Sequence, residues 1–171
     1  DAVVEFAGTG HGKLAINGGN FLIGPTAGKW LVIGYWDSGA GELDIFNGSL
    51  LLANGSSIKL ARGNNNTGSN VVNQTGGAAT FYSDAGVTVG GAGNLDLNYA
   101  GGTGSSGTYN LNGGALTVPQ IMASSSAGGS TFNFNGGTLQ SAANNATFMQ
   151  GLTRANLRNG GAKIDTAGFN V

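Results

Sequence analysis

"YNLNGGALTV" (Tyr109–Val118) and "FNFNGGTLQS" (Phe132–Ser141) carry one pattern twice: an apolar-polar-apolar trio, an Asn, a Gly pair, and a second alternating run. Alternation with period two marks a strand that buries one face. The Gly pair returns at Gly18, Gly76, Gly113, Gly136 and Gly160, with Gly48-Ser49 as an imperfect copy. A period in the twenties to thirties implies units that bury their apolar faces only against their neighbours. Helical repeats fit poorly. Gly supplies 34 of the 171 residues, and each costs up to about 1 kcal/mol in a helix interior relative to Ala.

The stretch from Gly41 to Gly68 reads as one full unit. "ELDI" points Leu43 and Ile45 inward, "SLLLA" follows the Asn-Gly corner, and "SIKLARG" adds a third strand with Ile58 and Leu60 inward. That third strand recurs at Leu31–Gly34 and Val87–Gly90. The expected fold class is therefore all-β: a right-handed parallel β-helix, a solenoid of three short strands per coil and about six coils, forming a single domain over residues 1–171. Stacking at about 4.8 Å gives a rod of roughly 30 Å. Each corner needs positive φ at Gly, and the preceding Asn is suited to stack on its equivalents. Asn17, Asn47, Asn112, Asn135 and Asn159 fit such a ladder, which Thr75 interrupts. Tyr109, Phe132 and Phe134 fall at inward positions and are expected in the core.

Here the chain resembles the autotransporter-associated β-strand repeats of large secreted bacterial proteins. In that family an "NGGT" segment is followed by "GGAxIDTxGxxV", matched here by Asn135–Thr138 and Gly160–Val171. The resemblance implies a parallel β-helix, a secreted or cell-surface location and a segment cut from a longer protein. Members serve as stalks, adhesin passengers and binding modules, so it implies no single function.

Composition narrows the partners. A net charge of −1 with seven basic residues offers no footprint for a phosphate backbone, so nucleic acid is not expected. No apolar run reaches bilayer-spanning length, so membrane insertion is not expected. The start "DAVVEFAGTG" lacks the basic and apolar regions of a secretion signal. Cys is absent, which removes disulfides and thiolate metal sites.

Candidate chemistry is sparse. The central residues of the apolar trios, Asp44, Asn73, Asp96, Asn110 and Asn133, are expected to form an outward polar stripe, and the plainer reading is a solvated sheet face. Asp44 and Asp96, read as equivalent positions two coils apart, would lie roughly 10 Å from each other, beyond the approximately 6.5–9.5 Å that inverting glycosidases use. Parallel β-helices include pectate lyases and polygalacturonases, but no nucleophile, base and orienting group converge here, so no catalytic residues are assigned and an enzyme is not expected. His11 in "GTGHGK" is read as a turn residue: one His without Cys or clustered acids makes a poor metal site, and Leu14 replaces the hydroxyl a phosphate loop needs after Lys13. Asp37 and Asp84 lack the dense acids of calcium repeats, and no cofactor is assigned. Arg62, Arg154 and Arg158 are read as scattered, solvated side chains.

Aromatics outside the alternation are more informative. Trp30 precedes an inward Leu31 and should face out, while Tyr35 and Trp36 occupy the loop "GYWDSG". Tyr82 and Tyr99 lie near corners and extend the set. Exposed Trp and Tyr suit stacking on pyranose rings. The expected function is a non-catalytic carbohydrate-binding module for an extended plant cell-wall polysaccharide such as xylan or another β-glycan. It would be monomeric and linked in cis to a glycoside hydrolase or other secreted domains. The alternative is a structural stalk or adhesin passenger with no sugar ligand.

Overall fold

A computed structural model describes residues 2–4, 9–24, 28–36, 38–53, 55–63, 66–82 and 93–171. The expected strand at Val87–Gly90 and the acids Asp37 and Asp84 lie outside the described residues. The chain opens with β1 (Ala2–Val4), β2 (His11–Ile23), β3 (Trp30–Ile33), β4 (Ala40–Ala53) and β5 (Ser57–Leu60). It continues with β6 (Ser69–Gln74), β7 (Ala78–Tyr82), β8 (Leu95–Asp96), β9 (Ser106–Leu111), β10 (Ala115–Val118) and β11 (Ile121–Met122). The last strands are β12 (Gly129–Phe134), β13 (Thr138–Ser141), β14 (Met149–Gln150), β15 (Arg154–Leu157) and β16 (Lys163–Asp165).

The molecule is all-β with parallel pairing, but the expected solenoid of three strands per coil is corrected. Among the described residues the strands make two sheets, one of six strands in the order β1-β3-β5-β8-β11-β14 and one of ten. The larger sheet curls like a half-barrel. The physical reason lies at the Asn-Gly corners: β2 and β4 bend at Asn17–Gly19 and Asn47–Gly48, where their pairing shifts register, yet continue as single strands of 13 and 14 residues. Glu42–Ile45 of β4 pairs with β6, and Ser49–Ala53 pairs with β7. The segments on either side of the corner therefore belong to one bent sheet. Gly77 shows why the corner needs Gly: its φ is +62°, and a Cβ there would sit 2.6 Å from the Gly48 carbonyl oxygen.

Like residues align across the pairings. Leu43, Val72, Tyr109 and Phe132 stand in register on one inward column; Leu31, Ile58, Leu95, Ile121 and Met149 do so in the six-stranded sheet. Both columns feed a single apolar cluster, whose burial is the main stabilising term. As expected, Tyr109 and Phe132 are fully buried, and Phe134 nearly so. Tyr109 and Phe132 stack at 5.4 Å and 11°. Leu157 and Ile164, on the last strands of the two limbs, remain exposed.

A few inward positions break the apolar rule, among them Asn70, Ser130 and Gln74. Gln74 is fully buried between Ile45 and Leu111. Its Oε1 accepts from the Tyr109 hydroxyl at 2.6 Å and its Nε2 donates to the Ala115 carbonyl at 2.8 Å. Burial also pushes the Tyr109 phenol far above its ordinary pKa. A buried amide is tolerated here because both ends of it are bonded.

Candidate functional site

The outer face of the six-stranded sheet is not the solvated surface that alternation alone suggests. Val32, Lys59 and Asp96 are adjacent in register on β3, β5 and β8, and all three are buried. Trp30 and Tyr99 meet there with ring centroids 5.4 Å apart at 56°. Lys59 Nζ lies 4.5 Å from the Tyr99 centroid, donates to Asn94 Oδ1 at 2.8 Å, and stands 3.7 Å from Asp96 Oδ2. Burial holds the Lys59 pKa below its ordinary value despite the attraction of Asp96.

Arg62 joins this pair of aromatics to a second pair. Its guanidinium carbon lies 4.8 Å from the Trp30 ring and 4.4 Å from the Tyr35 ring; Tyr35 meets Trp36 edge to face at 5.0 Å and 74°. Backbone pairing brings the pieces together: Arg62 N–H donates to the Gly34 carbonyl at 2.9 Å, and Tyr99 N–H donates to the Leu60 carbonyl at 3.0 Å. Gly63 lets the Trp36 ring lie against the backbone, since a Cβ there would come within 2.6 Å of the Tyr35 oxygen and 3.1 Å of Trp36 Cε3. Trp36, Arg62, Gly63, Tyr99 and Ala100 line a hollow of about 160 Å³, with Trp36 45% exposed.

Four of the aromatics expected from sequence, Trp30, Tyr35, Trp36 and Tyr99, thus converge. Tyr82 does not, because it ends β7 in the other sheet. Arg62 was expected to be solvated; it is half-buried between aromatic rings. A signal for it existed in the sequence, since aligning "LARG" with "IGYW" sets Arg62 near Tyr35. Neither segment alone reveals that Tyr99 closes the group.

A row of bonded polar side chains crosses the larger sheet, with a different membership from the expected stripe and with Asp44 and Asn133 buried. Asn73 Nδ2 donates to Asp44 Oδ1 at 2.9 Å, Asn110 to Asn73 at 2.8 Å, Asn133 to Asn110 at 2.7 Å and Asn156 to Asn133 at 2.9 Å. Asp96 is not in it. It belongs to β8 of the six-stranded sheet, where it accepts from the Ser124 hydroxyl and from the backbone N–H groups of Ser124 and Asn98 at 3.1 and 3.2 Å. The two acids read as equivalent therefore sit on different sheets. Asp44 is itself buried, under Lys13 at 2.5 Å. Lys13 also reaches Glu42 at 2.9 Å, and His11 Nε2 lies 3.4 Å from the other Glu42 oxygen. His11 and Lys13, expected in a turn, begin β2. At the corners, Asn47 donates to Asn17 at 3.4 Å and Asn135 to Asn112 at 2.9 Å. Among the described residues no three acidic or His side chains converge as a metal site requires.

Burial opposes the negative charge on Asp44, but the hydrogen bonds from Lys13 and Asn73 outweigh it, and its pKa lies below the ordinary carboxylate value. A depressed carboxylate pKa stabilises the fold above the unfolded value, about 3.9 for Asp, and that stability disappears as pH falls through the folded value. Asp44→Asn is expected to cost about 1–2 kcal/mol at pH 7. The difference from wild type should shrink below about pH 4; urea titrations at pH 7 and pH 3 check it.

No family model, curated protein or solved structure matches this chain.

Proposed function

We propose that the chain is a non-catalytic carbohydrate-binding module that takes an extended polysaccharide such as xylan at the Trp30–Tyr35–Trp36–Tyr99 cluster. The supporting observation is the half-exposed Trp36 ring beside the hollow next to Arg62 and Tyr99. A Trp ring offers a flat apolar face to a pyranose, and its indole N–H adds a polar edge. The hollow is smaller than the approximately 300–1,000 Å³ of usual small-molecule pockets. It suits one sugar unit of a polymer whose neighbours run across the surface. A module carried beside a secreted glycoside hydrolase accords with this reading.

Affinity electrophoresis in soluble xylan, mixed-linkage glucan and pectin tests it. Wild type is expected to be retarded in at least one polymer, and Trp36→Ala to weaken that binding by about tenfold or more. No retardation of wild type in any of the three defeats the proposal and favours a stalk or adhesin segment. The amide column from Asp44 to Asn156, which ties strand to strand without a ligand, is the feature that would serve such a stalk.

A further inference from the structure

Two cations lie on the outer face of the six-stranded sheet, and the protein treats them differently. Lys59 has Asn94 at 2.8 Å and Asp96 at 3.7 Å. Arg62 has no carboxylate within 4 Å among the described residues, and its Nε is buried with no hydrogen-bond partner. Of the described charged groups in the cluster, Lys59 and Arg62 against Asp96 leave one positive charge over. A guanidinium donor withdrawn from water without a partner is costly, and an anion in the hollow that Arg62 lines offsets part of that cost by charge pairing without reaching the Nε itself.

The geometry also restricts the anion. The guanidinium carbon lies over the Trp30 and Tyr35 rings, cation–π contacts that use none of the N–H donors; with Nε buried, the two Nη groups are the donors left for a ligand. Those donors form a fork that matches a carboxylate with two parallel hydrogen bonds. The half-exposed Trp36 ring lines the same hollow, so a stacking surface and an anion fork stand side by side. A pyranose bearing a carboxylate fills both.

Resting on the carbohydrate-binding reading, we infer that the sugar recognised at this cluster is a uronic acid unit, its carboxylate held by Arg62 and its ring stacked on Trp36. General electrostatics would not produce this preference, because a net charge of −1 gives no long-range attraction for polyanions.

The test compares wild-type binding to glucuronoxylan and to the same preparation after chemical reduction of its carboxyl groups. Wild type is expected to bind the acidic polymer about tenfold more tightly, with the gap narrowing as NaCl is raised. Arg62→Gln is expected to bind both polymers alike, at the level wild type shows for the reduced one. Arg62→Lys, which keeps the charge but loses the fork, should recover only part of the gap. Equal binding of the two polymers by wild type overturns the inference and leaves carbohydrate binding standing, as does a gap that persists in a folded Arg62→Gln. Binding of neither polymer by wild type, together with no retardation in mixed-linkage glucan or pectin, removes the carbohydrate reading itself. Thermal unfolding of Arg62→Gln separates lost recognition from lost fold; should that variant not fold, the wild-type comparison alone decides.

Discussion

Phe132→Ala is expected to lower the free energy of unfolding by about 3–5 kcal/mol. The ring is fully buried, stacked on Tyr109 at 5.4 Å and met edge-on by Phe134 at 4.8 Å and 62°. Its removal takes apolar surface out of the core and leaves a void whose walls are held by backbone pairing on both sides, to β9 and to β15. Strands fixed in register on two edges collapse poorly, which places the cost toward the upper part of the range. Since domains commonly have only about 5–15 kcal/mol in hand, the variant should be marginal at 37 °C. Urea denaturation followed by circular dichroism gives the difference. A shift below about 1 kcal/mol would mean that the aromatic column is not the core described here.

Gly107→Ala is the second large effect, with an expected loss of about 1–3 kcal/mol or more. The residue is buried in β9, and a methyl group there would collide with the Leu97 carbonyl oxygen and press on Leu60. Backbone cannot step aside cheaply, because the Leu97 N–H is tied to the Met122 carbonyl at 2.8 Å. Relief would require moving the segment that leaves the six-stranded sheet away from the one entering the larger sheet. Thr108→Ala, one residue along and half-exposed, should stay within about 0.5 kcal/mol of wild type. Comparable urea midpoints for the two variants would refute the close approach.

Period-two alternation made the inward residues readable. Leu43, Ile45, Tyr109 and Phe132 are buried because a strand with one apolar face has only one way to turn it. The same pattern could not say where strands end. Nothing in "ELDIFNGSLLLA" shows whether Asn47-Gly48 stops a strand or only bends it, since the answer depends on pairing with β2, β6 and β7. "ELDI" and "NLDLN" look alike as well, yet only the first faces Asn73; partners from distant segments assign the second to the other sheet. The candidate site was half legible for a related reason. Trp and Tyr outside an apolar alternation attract notice, whereas Arg62 gains its meaning only when residues 30, 35 and 99 surround it. Gln74 was invisible because a lone Gln in a strand gives no sign of the Tyr109 hydroxyl waiting across the pairing.

Asp44 sets the sense of the whole amide column. An ionised carboxylate can only accept, so Asn73 must turn its nitrogen toward Asp44 and its oxygen away. Asn110 then has to meet that oxygen with its own nitrogen, and the same choice passes to Asn133 and Asn156. The side-chain dipoles consequently lie head to tail with their positive ends toward the anion, as peptide units do along an α-helix. Reversing one of them would set oxygen against oxygen on one side and nitrogen against nitrogen on the other, so the row behaves as a small permanent electret, with the carboxylates of Asp44 and Glu42 at its positive end and the Arg158 guanidinium on an oxygen further along.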